Sequence, residues 1–160
     1  MLINLALSTR STIPAILLVL TGCCCVSCRS THNPIATWTP REGCEYLIVA
    51  RRFALGGVGV GADTSTGEYA FRAALRSQNP RVVFGLIFSP GAQATEEGKL
   101  YALCGVRATD RASFDRYAAM VVSTNAEVIT QSGCIVGRER AAEVVKRIAA
   151  GEYDQYFTKK

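Results

Sequence analysis

Between residues 65 and 151 the chain carries a helix start or stop about every fifteen residues, which leaves room for little but short helices. Ser65-Thr66-Gly67-Glu68 has the capping-box pattern, an N-cap Ser with Glu three residues on, and opens a helix to about Gln78. Asn79-Pro80 supplies a second cap with proline at the first helical position, and that helix ends by Ser89-Pro90-Gly91. Thr95-Glu96-Glu97 sets acid against the positive end of a helix dipole and opens a helix to about Ala108. Asp110 is expected to cap the next helix, in which Phe114, Tyr117, Ala118 and Val121 share one face. Glu139 to Ala150 reads as a last helix, closed by Gly151 as its C-cap.

Little of the remainder is extended. Ala126–Thr130 and Cys134–Val136 read as two short strands, joined in a hairpin around Ser132-Gly133. The apolar segment 43–55 fits a short helix or a buried strand, because periodicity cannot separate the two over so few residues. It is read here as a helix. The expected fold is therefore mainly α: a small helical-hairpin bundle, with a two-stranded hairpin attached, running from about Gly43 to Phe157. An offset of about 30 residues also lines up Phe71 with Tyr101, Ala73 with Leu103 and Phe84 with Phe114. Two helical hairpins side by side would produce that offset, and the arrangement loosely resembles a short HEAT-like stack.

The first residues read as an address rather than as fold. Ile13 to Leu20 is an apolar run of about eight residues, too short to span a bilayer and of the length found in secretory signal peptides. It ends in Leu20-Thr21-Gly22-Cys23, which resembles the lipobox of bacterial lipoprotein precursors. The resemblance implies that residues 1–22 are a signal peptide removed before Cys23. Cys23 would then carry the lipid, residues 23–42 would form the lipidated Cys and a polar tether, and 43–160 would form the mainly helical globular domain. Two or more acyl chains hold a protein stably where one does not, each buried methylene contributing roughly 0.8 kcal/mol. Cys24 stands where Asp would mark retention at an inner membrane, so the resemblance points to the outer membrane of a Gram-negative envelope. The alternative is an uncleaved anchor in the inner membrane.

Export permits disulfides. Of the seven cysteines, Cys23, Cys24, Cys25 and Cys28 crowd the tether, leaving Cys44, Cys104 and Cys134 in the body. Cys25-Val26-Ser27-Cys28 is formally a C-x-x-C, but it leads into polar Arg29 to Pro34 rather than a helix. With His32 it also lacks the second ligand pair of a zinc site. Cys104 and Cys134 both sit in apolar surroundings, so both sulfurs are expected to face the core and to pair with each other.

Catalytic constellations are sparse. A single His, at position 32, removes most His-based chemistry, and Ser65, Ser113 and Ser132 have no His in the globular part to activate them. Gly56-Gly57-Val58-Gly59-Val60-Gly61 lacks the G-K-[ST] of a P-loop and the downstream acid of a dinucleotide site, and reads as a flexible or a tightly turned loop with positive φ at several glycines. Glu96, Glu97, Asp110 and Asp115 are the carboxylates nearest one another in sequence, and each has a capping or solvent-facing explanation. The 18 Lys and Arg against 13 Asp and Glu make a mild +5, with Arg51-Arg52 and Arg138 to Arg140 the tightest basic groups and no interleaved aromatics to hold nucleic acid. The expectation is a non-enzymatic, membrane-anchored lipoprotein that uses no cofactor or metal and binds an envelope protein. The competing expectation is a lipid-tethered or secreted hydrolase working through carboxylates or Cys134.

Overall fold

The computed structural model describes residues 37–157. The lipobox, Cys23, the C-x-x-C and His32 lie outside them. Six α-helices and one β-hairpin make up the described residues: α1 Pro40–Ile48, α2 Thr66–Leu75, α3 Pro80–Ile87, α4 Glu96–Thr109, α5 Phe114–Ser123, β1 Glu127–Ser132, β2 Ile135–Arg140 and α6 Ala141–Ala150. The domain is mainly α with an antiparallel two-stranded hairpin.

Local chemistry accounts for most helix starts. Ser65 Oγ accepts from the Glu68 N–H at 2.9 Å, Asn79 Oδ1 from Val82 at 3.4 Å, and Thr95 Oγ1 from Gly98 at 3.1 Å. Each satisfies one of the orphan donors of a first turn. Gly151 closes α6 in the left-handed region, at φ 88°. A further start lies at Thr39, where a complete capping box with Glu42 opens α1 at Pro40, inside the stretch read as tether.

The helices surround α4, whose residues Leu100 to Val106 are all buried. A helix buried on every face needs neighbours on every face, and α1, α2, α3, α5, α6 and β1 all pack on it. The result is a bundle around one central helix rather than two hairpins side by side. An aromatic group fills one end of the core, with Phe53 and Tyr101 ring centres 4.9 Å apart and Phe71 and Phe84 5.6 Å apart.

Three further expectations change. α1 stops at Ile48, and the chain beyond it is extended where it meets the hairpin: the Phe53 N–H donates to Ile129 O at 2.8 Å, and Phe53 O accepts from Gln131 at 2.9 Å. The open edge of β1 claims that backbone, so 43–55 is half helix and half strand-like. Asp110 makes no side-chain cap and pairs with Arg81 at 2.9 Å, while a 3₁₀ turn over Arg111–Ser113 leads into α5. Glu139 lies in β2, and α6 opens only at Ala141.

The glycine segment turns tightly. Val58 and Asp63 exchange backbone hydrogen bonds of 2.7 and 2.9 Å around the turn, with Gly56, Gly57 and Gly59 all at positive φ. This segment then lies along the hairpin tip, Gly59 N–H donating to Gly133 O and Gly133 N–H to Gly57 O.

Candidate functional site

The period-two alternation of a strand sorts the hairpin into two faces. Val128, Thr130, Gly137 and Glu139 look inward; Glu127, Ile129, Gln131, Val136, Arg138 and Arg140 look outward. Beneath the inner face, α6 and the turn that follows it leave a cleft of about 520 Å³, lined among others by Phe53, Thr130, Glu139, Arg147, Glu152 and Tyr153.

Charge in this cleft is held by other charge. Glu139 Oε1 accepts from Thr130 Oγ1 and from an Arg147 guanidinium nitrogen, both at 2.7 Å. Burial works against the Glu139 carboxylate, but the hydrogen bonds from Arg147 and Thr130 outweigh it and hold its pKa below the usual range. The same Glu139 contact pushes Arg147 further up. Arg147 Nε is buried without a hydrogen-bond partner, 3.8 Å from Glu152 Oε2. Burial raises the Tyr153 phenol, with Arg147 opposing, and its ring meets Phe53 edge-on at 5.2 Å. Both donors meet the same oxygen, Oε1, and a carboxylate kept ionised in this way is a poor general acid at neutral pH.

A second ion pair fixes the turn that roofs the cleft. Arg107 grips Asp154 in bidentate fashion, at 2.7 and 2.9 Å, and donates to Ala149 O at 2.9 Å. The Arg107 hydrogen bonds draw the Asp154 carboxyl below its ordinary pKa. Glu68 is, among the described residues, the one charged residue in the buried core, only 2% exposed. It accepts from the Gly56 N–H at 2.9 Å and pairs with Arg72. Its side chain therefore holds the glycine segment instead of returning to the Ser65 N–H as a capping box would.

The residues singled out by sequence do not converge. Glu96 pairs with Lys99, and Glu97 accepts from the Ile129 N–H at 2.9 Å, both at the start of α4. Asp110 lies past the other end of that 14-residue helix, about 20 Å away at 1.5 Å per residue. Asp115 is exposed on α5. No carboxylate pair forms from this set. Ser65 donates its hydroxyl proton to Ala54 O while capping α2.

Cys44, Cys104 and Cys134 are free thiols in this structure. Cys104 is sealed inside α4, where burial pushes its thiol well up. Cys134, expected to face the core, is exposed, because Gly133 and Cys134 form the two-residue turn between Ser132 and Ile135. The Cys104–Cys134 pair is not brought together. Cys44 is half-buried, its Sγ 3.9 Å from Val83 O, and burial raises its pKa also.

Sequence reasoning missed the Glu139–Arg147 pair because it read Glu139 to Ala150 as a single helix. Among the described residues no helix is long and apolar enough to cross a membrane, and no group of three His, Cys, Asp or Glu could hold a metal ion. Comparison of this chain with family models, with characterised proteins and with solved structures found no match.

Proposed function

We propose that the chain is a lipid-anchored protein of a bacterial cell envelope whose folded domain docks another envelope protein. The anchor rests on Leu20-Thr21-Gly22-Cys23, read as a lipobox with Cys23 as the acylated residue. The docking role rests on one observation in the domain: in the cleft beneath the hairpin, Glu139 is paired with Arg147 and accepts from Thr130. That arrangement favours a structural use of the charges over hydrolysis by carboxylates, and Cys134 lies exposed in the hairpin turn. The domain also keeps apolar side chains on its surface, Leu86, Met120, Ile135 and Val136 among them, which suits contact with a partner.

The test is the intact mass of the protein recovered from membranes of a bacterium that produces it, beside a Cys23→Ser variant. A mass corresponding to a chain starting at Cys23 plus about three acyl groups is expected, with Cys23→Ser left unprocessed. A soluble chain that still begins at Met1 would overturn the anchor.

A further inference from the structure

The two edges of the hairpin are treated differently. Gln131 N–H and Ile129 O both bond to Phe53, and Ile129 N–H donates to Glu97, so these two residues turn their backbone groups away from β2. In an antiparallel pair, residues that do so face partners that do the same. Those partners are Val136, opposite Gln131, and Arg138, opposite Ile129. Both therefore present N–H and C=O outward, and the N–H of Arg140 follows two residues on. β2 is exposed along this edge, Ile135 at 76% and Val136 at 51%. Segment 53–59 closes the edge of β1; among the described residues no backbone group closes that of β2.

The outward side chains say what would fit. Val136, Arg138 and Arg140 share the outer face, and Arg52 joins them through a 2.7 Å bond to Gln131. Neither Arg138 nor Arg140 is in an ion pair among the described residues. A second copy of β2 would bring the arginines of two edges together, where like charges repel. Residues 1–36 and 158–160 contain no Asp or Glu, so these stretches do not supply the complementary charge.

We infer that β2 is a docking edge for an extended, acidic segment of another protein. The segment adds a third strand, with carboxylates at alternate positions opposite Arg138 and Arg140 and an apolar residue near Val136. Main-chain hydrogen bonds to Val136, Arg138 and Arg140 hold the strand, and the arginines select its sequence. The inference rests on the reading of the domain as a docking module and names where it docks.

The experiment uses the full chain in nonionic detergent with short capped peptides alternating Val with Glu, or Val with Lys. Binding is read by fluorescence anisotropy, and amide hydrogen exchange is read at single residues. The Val–Glu peptide is expected to bind and to slow exchange at Val136, Arg138 and Arg140. Arg138→Glu should weaken it about tenfold, as attraction across the pair turns to repulsion. Val136→Pro should abolish it, and because that N–H faces solvent a proline is tolerated there without loss of the hairpin. Arg138→Glu leaves the backbone unchanged, which guards against a folding artefact.

Equal binding of the Val–Lys peptide, or binding indifferent to Val136→Pro, overturns the inference. So does a concentration-dependent dimer that Val136→Pro abolishes, which would assign the edge to a second copy. Co-sedimentation with phosphatidylglycerol vesicles in place of peptide binding, lost in Arg138→Glu, would assign it to a lipid surface. A chain that crosslinks to a protein through another face would keep the docking role and remove only this edge.

Discussion

At the scale of single residues the domain depends on charges that are buried with their partners already in hand. Glu68 shows the cost most clearly. Its two carboxylate oxygens serve Arg72 on its own helix and the Gly56 N–H of the glycine segment. Removing the carboxylate leaves both donors short of an acceptor, and a buried group left unsatisfied costs about 1–3 kcal/mol. Glu68→Ala is expected to destabilise the domain by about 2–3 kcal/mol and Glu68→Gln by less, since the amide oxygen still accepts from Gly56. Urea unfolding of the two variants beside the parent measures this; equal loss in both would mean that ionic pairing to Arg72, not the backbone bond, is what matters.

At the scale of elements, close approach decides more than propensity does. Gly43 sits where α1 crosses α2, and a Cβ there would lie 2.5 Å from Ala70 O and 2.9 Å from Ala73 Cβ. Alanine in an ordinary helix interior gains about 1 kcal/mol over glycine. Here it must push two backbones apart, an overpacking that typically costs about 1–3 kcal/mol. Gly43→Ala is expected to lower the melting temperature; a rise would show that α1 can shift on α2 without loss. The helix starts at Ser65, Asn79 and Thr95 were legible in sequence because a cap is completed within its own first turn. Asp110, Phe53 and Glu139 were not, because their partners Arg81, Ile129 and Arg147 come from elsewhere in the fold. The same reason hid the cleft: its central carboxylate lies on a strand that its own sequence, Ile-Val-Gly-Arg-Glu-Arg, does not separate from the helix that follows.

At the scale of the whole molecule, several carboxylates are held below their ordinary pKa: Asp154 by hydrogen bonds from Arg107, Glu42 by hydrogen bonds within the Thr39 cap, and Glu139 by Arg147 and Thr130 against the pull of burial. Each binds a proton more readily unfolded than folded. Their stabilisation is therefore complete above the unfolded values, near pH 4–5, and is lost as pH falls through the lowered native ones. Urea midpoints are expected to hold between about pH 7 and 5 and to drop steeply below about pH 4. Asp154→Asn should flatten that drop while lowering stability at neutral pH; an unchanged acid limb would mean that the Arg107 pair contributes nothing to folding.

The central position of α4 also bears on the order in which the chain can assemble. Its walls are built from segments on both sides of it in sequence, α1 to α3 before and α5, the hairpin and α6 after. The final casing includes Tyr153 and Phe157, which lie against Phe53 and Phe71 close to the end of the chain. A chain that stopped before Tyr153 would leave the rings of Phe53 and Phe71 without these neighbours and the core around α4 open on that side.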